Sequence, residues 1–265
     1  MPGFYYFNEL PRERLNELAP EALIVLPVGA TEQHGPHLPT GTDVFAVERI
    51  AREASQVAAA EITTILAPTL PFGSSHHHLP FGGSFSLSTE TYYRVLVELL
   101  ESLVAGGFKK VFILNGHGGN SELIQLAARD VARDHPISVA AAPYWTIAWD
   151  GLVAAGIHRQ GKLPGHAGRF ETSLVLAMRP ELVVEPRPSR DLAAASGEPR
   201  AASPFRAEHH GSWQAMDGYT DSPALGAAEI GEQALQLIVD AVAGAFVAFT
   251  NEASAAQSRP EKTVL

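Results

Sequence analysis

Four short runs of apolar, largely β-branched residues punctuate the first half of the chain: Ala22 to Val28, Thr63 to Leu70, Lys110 to Leu114 and Ile137 to Ala142. Each has the length of a strand buried on both faces. Between them apolar residues recur three and four apart over Val44 to Ala60, Thr89 to Ala105 and Ser121 to Arg133. The last of these puts Leu123, Ile124, Ala127, Ala128 and Val131 on one helical face. This alternation predicts βαβ units and an α/β fold of three layers, α/β/α, around a mainly parallel sheet. Asp43 and Ser88 stand where they can cap the helices that follow, and Gly106-Gly107 can end the second helix. After Trp149 the alternation stops, and Pro186, Pro188, Pro199 and Pro204 mark a polar, Ala-rich excursion rather than a second domain. Ala227 to Phe249 reads as a long apolar closing helix, and Ser254 to Leu265 as a frayed polar tail. There is no internal repeat.

Composition narrows what such a fold can do. With 265 residues and 46% hydrophobic content the chain can bury one large core, which predicts a single domain over residues 1–265. A net charge of −10 without any Lys/Arg cluster argues against nucleic acid, whose phosphates need a basic footprint, and favours a small uncharged or cationic ligand. The absence of cysteine removes disulfides, thiolate metal sites and Cys nucleophiles together, so any metal is held by His and carboxylates. Asn8, Glu9, Arg12 and Arg14 interrupt every apolar run of the first twenty residues, leaving neither a signal-peptide core nor a membrane span there. The expectation is a cytoplasmic enzyme with no membrane partner.

The chemistry gathers in loops that follow strands, on the rim where such sheets bind ligands. In Thr31-Glu32-Gln33-His34-Gly35-Pro36-His37, Glu32 and His34 are two positions apart, so an extended backbone projects both to one face and Gln33 away from it. Asp43, at the far end of a loop stiffened by Gly and Pro, can return to the same place, and its two oxygens suit it to bridge two cations about 3.5–4 Å apart. Seven of the eleven histidines (His34, His37, His76, His77, His78, His117 and His166) lie in loop-like segments. Together with Glu32, Asp43 and Glu171 they read as a site rather than as scattered loop histidines. Gly118-Gly119 permits a tight strand-to-helix turn. Neither a phosphate-loop nor a dinucleotide fingerprint is present, and no Gly-x-Ser-x-Gly elbow marks a serine hydrolase.

Pro27-Val28-Gly29-Ala30-Thr31-Glu32-Gln33-His34-Gly35-Pro36-His37-Leu38-Pro39, followed by Thr42-Asp43, resembles the opening signature of the creatininase (creatinine amidohydrolase) family. Asn115-Gly116-His117-Gly118-Gly119-Asn120 resembles its central histidine loop, and Gly165-His166-Ala167-Gly168-Arg169-Phe170-Glu171-Thr172-Ser173 its late histidine and glutamate block. The matches run in order from Phe4 to about Ala245. The resemblance implies a homo-oligomer, a hexamer among the expected assemblies, with two divalent ions per subunit that hydrolyses amide-type C–N bonds. Carried over residue by residue, Glu32, Asp43 and His117 would hold one ion, and His34 with bridging Asp43 the other. Creatinine-cleaving members place a glutamate two residues after the central histidine, where this chain has Gly119. The ligand role then passes to Glu171, as in the family's glycine-loop branches. Glu122 competes for it, although a carboxylate in the first turn of a helix is ordinary on dipole grounds alone.

His166 resembles the family's catalytic histidine and is the expected proton-transfer group, a structural role near metal being the alternative. His37 either orients a ligand carboxylate or caps its loop. Gly73-Ser74-Ser75-His76-His77-His78-Leu79-Pro80-Phe81 resembles the family's substrate-side loop, with Ser74 and His77 turned inward and the neighbouring histidines solvated. Gly118 and Gly119 would also face substrate, and Trp145 and Trp149 either wall the pocket or pack the core. Imidazoles and carboxylates suit zinc, manganese or iron. Two such ions would activate a bridging water and polarise a carbonyl. The expected substrate is a small cyclic or linear amide, creatinine or a related amide or formamide. A peptidase of peptide-derived cofactor maturation, a metal-dependent sugar or polyol isomerase or lyase, and a non-catalytic metal-binding protein are the alternatives.

Overall fold

The computed structural model describes residues 2–159, 161–190, 207 and 209–257. Five strands, β1 (Gly3–Tyr6), β2 (Leu23–Val28), β3 (Thr63–Leu66), β4 (Lys110–Asn115) and β5 (Ser138–Pro143), form one sheet in the order β1-β3-β2-β4-β5 with every neighbouring pair parallel. All six residues of β2 and of β4 are buried, which explains their unbroken apolar character. Their side chains alternate between two cores. Leu23 and Val25 of β2 join Phe112 and Leu114 of β4 on one face, while Ile24, Leu26 and Val28 join Val111 and Ile113 on the other.

On the first face lie α2 (Thr42–Ala58), α5 (Tyr144–Ile147), α6 (Trp149–Ala154), α7 (Arg169–Met178) and α9 (Ala228–Gln257). On the second lie α1 (Arg12–Leu18), α3 (Thr89–Ala105) and α4 (Ser121–Asp134), and a short helix, α8 (Ser212–Ala215), sits over the rim. The three-layer α/β/α arrangement with a parallel sheet is therefore present. β2 feeds α2 on one face while its neighbour β4 feeds α4 on the other, so a crevice opens between their carboxyl ends, the usual ligand position in doubly wound sheets.

The sequence-predicted elements differ from this arrangement in particular ways. Ser88 does cap α3, accepting from the Thr91 amide at 3.2 Å, and Gly106 follows its last residue. Asp43 is not a cap: α2 starts one residue earlier, at Thr42 after Gly41, and the carboxylate is turned into the rim. β1 escapes hydrophobic patterning because Gly3-Phe4-Tyr5-Tyr6 is short and stands at the sheet edge. Within the supposed excursion, α7 escapes because Arg169, Glu171, Thr172 and Ser173 are buried along with its apolar residues, so no polar face exists to produce a stripe. The closing helix extends beyond Phe249: Ser254 is helical and its hydroxyl accepts from the buried Lys110 ammonium at 3.0 Å, so the tail is ordered that far. Pro199, Pro204 and residues 258–265 lie outside the described residues. α9 is long and apolar enough to cross a membrane, yet Ala234, Leu235, Ile238, Val242 and Phe246 are spent on packing against the sheet-facing layer.

Candidate metal centre

The loop after β2 is folded back on itself, Glu32 N–H donating to Thr40 O at 2.9 Å, with Gly35 in the left-handed region (φ +64°) making the turn. That closure returns Asp43 to Glu32 and His34. The loop after β4 is held by Asn115, whose side chain bonds both ways with the His117 backbone, and by Asn120, whose amide reaches Gly29 O at 3.1 Å and the Ser74 N–H at 3.0 Å. Asn120 therefore joins the loops that follow β2, β3 and β4. From the opposite layer, Gly168 ends a turn in which Ala167 has φ +48°, and the Ala167 N–H meets Glu171 Oε2 at 2.5 Å in the first turn of α7.

These elements bring Glu32, His34, Asp43, His117 and Glu171 together, all buried, Glu32 and His34 completely. Asp43 sits between the two imidazoles. Its Oδ1 is 3.1 Å from His34 Nε2 and its Oδ2 is 3.1 Å from His117 Nδ1. Glu32 Oε1 lies 3.1 Å from that same His117 nitrogen, and Glu171 Oε2 lies 3.7 Å from His34 Nε2.

The rings' outer partners decide which nitrogens are bare. His117 Nε2 is 3.2 Å from Ser74 O, and His34 Nδ1 is 3.1 Å from Glu32 O; a carbonyl only accepts, so these nitrogens carry the hydrogens. In the neutral rings the lone pairs of His34 Nε2 and His117 Nδ1 then point at carboxylate oxygens, which is repulsive unless a cation or a proton lies between. Among the described residues, Glu32 Oε1, Glu32 Oε2 and Asp43 Oδ2 are buried without a hydrogen bond, although such groups nearly always find one. An imidazole whose other N–H is fixed by a carbonyl, facing carboxylates, is the usual form of a metal ligand. The donor set could hold divalent metal: His34, Asp43 and Glu171 offer ligand atoms within 4.8 Å of one another, and Glu32 and His117 adjoin Asp43 on its other side.

Protonation reflects the same crowding. Burial works against the His34 cation, but Asp43, Glu171 and Glu32 outweigh it and push the ring up to about 10. His117 is driven up likewise against burial, chiefly by Glu32 and Asp43. Glu171 is raised to about 8 by burial, with His34 opposing and Asp43 adding to the rise. Glu32 is held down, the surrounding imidazoles of His117, His166 and His78 overcoming its burial.

A cavity of about 780 Å³ opens above the cluster. Ser74, His77, Gly118, Gly119, Trp145 and His166 line it, as do Asp43, His117 and Glu171. Glu122 also lies on this wall, but it is an exposed residue of α4 outside the buried cluster. A Cβ on Gly119 would stand 2.3 Å from Ser74 O, the carbonyl that orients His117, so this loop has no room for a glutamate at that position.

Three expectations change. His78, not only His77, faces the site: the 3₁₀ turn His76–Phe81 turns successive side chains in different directions, leaving His76 exposed at the cavity wall on Ser86 while His78 is buried 3.6 Å from Glu32 Oε1. Trp149 is exposed and does not line the cavity. His37 neither touches a cluster carboxylate nor caps its loop end; its Nε2 meets Thr172 Oγ1 at 2.9 Å, tying the loop to α7, and burial pushes its ring down to about 4. Sequence reasoning missed Gln33, which is buried among imidazoles, and Trp213, whose ring packs against His77, His78 and His166. A tryptophan beside His209 and His210 in an otherwise polar stretch was the available signal.

A family model described as creatinine amidohydrolase matches residues 8–246. Among curated relatives, a mycofactocin precursor peptide peptidase of Mycobacterium ulcerans is 32% identical over 66% of this chain and 66% of its own, so the match spans just under two thirds of that protein. A creatinine amidohydrolase of Pseudomonas putida is 30% identical over 62% of this chain and 67% of its own. A crystal structure of creatinine amidohydrolase superposes with a TM-score of 0.73 at 27% identity, covering 91% of this chain and 95% of that one. Two further creatininase structures, each 26% identical with a TM-score of 0.72 and covering 91% of this chain and 96% of theirs, are a manganese form and a mutant of zinc–zinc type.

Proposed function

The chain belongs to the creatininase family of amidohydrolases, and from that premise we propose that it cleaves an amide C–N bond with two divalent ions held through Asp43. The observation that carries this reading is the bridging position of Asp43, each oxygen facing an imidazole lone pair and each side completed by a buried carboxylate. When bound, the ions supply an acidified water and Lewis-acid pull on the scissile carbonyl; zinc and manganese are favoured by the metals named in the two creatininase structures.

The rest of the reaction falls to the chain's own groups. His166 Nε2 is 3.0 Å from Gln33 O and so holds its hydrogen there, leaving Nδ1 bare 3.6 Å from Glu32 Oε1. That nitrogen takes a proton from the attacking water and returns it to the departing nitrogen, without which an amine leaves poorly. Burial, reinforced by His34, holds the His166 ring well below its usual range, so it starts neutral. Ser74, Gly118 and the Trp145 and Trp213 rings bound the space for the acyl portion.

The cavity volume favours one second reading. About 780 Å³ suits a ligand far larger than a creatinine-sized ring, which supports the end of a peptide as substrate, as does the name of the mycobacterial relative. Assembly into a homo-oligomer belongs to the same proposal, with exposed Phe72, Leu79 and Phe85 near the rim as apolar surface for it. The test is a panel of creatinine, an N-formyl amine and short peptides offered to zinc- or manganese-loaded protein, scored by release of ammonia, amine or formate. His166→Ala is expected to lower the rate of the cleaved substrate about a hundredfold or more with metal content unchanged. Isomerised product without water consumption, or full turnover in His166→Ala, would sink the proposal.

A further inference from the structure

Gln33 touches more of the site than its outward direction suggests. Its Oε1 accepts from the Gly35 N–H at 2.9 Å and its Nε2 donates to Gly218 O at 2.9 Å, and two backbone partners of opposite kind leave the amide only one orientation. The second hydrogen on Nε2 goes to His78 Nδ1 at 2.8 Å. His78 therefore keeps its own hydrogen on Nε2, which lies 3.6 Å from Glu32 Oε1.

His166 is controlled by the same residue through its backbone. Gln33 O, 3.0 Å from His166 Nε2, can only accept, so the hydrogen is on Nε2 and the lone pair on Nδ1. The side-chain Nε2 of Gln33 is also 3.2 Å from His166 Nε2, but both amide hydrogens are already donated, so that contact is not a hydrogen bond. Both rings reach one Glu32 oxygen, Oε1, each at 3.6 Å, and they stack at 4.2 Å between centroids with 17° between planes, Trp213 lying edge-on to each. The two imidazoles share a tautomer yet turn opposite nitrogens to the site.

We propose that Gln33 is a positioning residue that fixes His78 as a hydrogen-bond donor and His166 as a proton acceptor at the same edge of the metal centre. In the hydrolytic reading, on which its use rests, His166 Nδ1 receives the proton of the attacking water while His78 Nε2–H turns toward the Glu32 carboxylate. The assignment predicts a separable response. The side chain of Gln33 governs His78, whereas His166 depends only on the backbone carbonyl.

Long-range ¹H–¹⁵N correlation of histidine rings in the zinc-loaded protein reads this directly, with the two rings assigned through His78→Gln and His166→Gln. Both rings are expected as the Nε2–H form. In Gln33→Met, His78 is expected to shift toward the Nδ1–H form while His166 keeps its pattern. Gln33→Glu preserves size where the methionine variant fails to fold, and there His78 is expected to acquire a hydrogen on Nδ1, because a carboxylate facing it can only accept. A wild-type His78 already protonated on Nδ1, or a His78 pattern unchanged in the variants, would overturn the proposal. The spectrum reads ring protonation whether or not any amide is cleaved, so its failure and that of the hydrolase reading are told apart.

Discussion

In the proposed metal centre Asp43 is the side chain that would serve both halves of the cluster, and Glu171 the one that would complete the half lacking a glutamate at position 119. In Glu171→Gln, about one equivalent of zinc is expected to be lost, measured by elemental analysis after gel filtration, while Glu122→Gln retains both. The reverse pattern would move the ligand to α4. Proton balance gives a second prediction. Metal-free His34, raised to about 10, and Glu171, raised to about 8, both hold protons at neutral pH, and a ligating atom must give its proton up. Apparent zinc affinity is therefore expected to rise as pH increases from about 6 to about 8, with protons released into a weakly buffered titration. A flat profile without proton release would contradict the ligand set. At this scale the sequence was legible where chemistry was contiguous: Glu32, His34 and Asp43 share one loop, and alternation foretold that Gln33 leaves their face. Its engagement with His78 and His166 depends on contacts 45 and 133 positions away, which no local pattern encodes.

At the scale of elements, the weak point is the crossing of α9 over α7. A Cβ on Gly231 would stand 1.9 Å from Ser173 O, so the two helices meet through bare backbone just beyond Glu171. Gly231→Ala is expected to push α7 outward, lowering stability by about 1–3 kcal/mol in denaturant melts and weakening zinc retention to the same degree as Glu171→Gln. Unchanged stability and zinc content would mean that α9 yields instead. The helices on the second face, α3 and α4, were visible as stripes because each has a wet side. α7 was not, since burial on every side erases the contrast that periodicity detects, and β1 was too short to show any.

For the whole molecule, the proposed metal centre predicts that carboxylates and imidazoles crowded at the rim leave the metal-free fold the less stable one. Ions that bind the folded chain alone add about 2.7 kcal/mol at a free concentration a hundred times the dissociation constant. Chelation is thus expected to lower the melting temperature, with zinc or manganese restoring it; a melting temperature indifferent to chelator would argue against a buried ligand set. Architecture was readable at this level because the sheet is parallel and buried on both faces, so its strands announce themselves as apolar runs. The walls of the cavity were less so, being drawn from six separate segments. One consequence concerns how the protein is handled. Lys110 begins β4, at the end of the sheet away from the cavity, and its bond to Ser254 pins the last turns of α9 there. Ala256 is exposed on that side, and the chain has no cysteine. An Ala256→Cys thiol would be a unique chemical handle, anchoring the molecule to a surface or label with the mouth of its cavity facing solution.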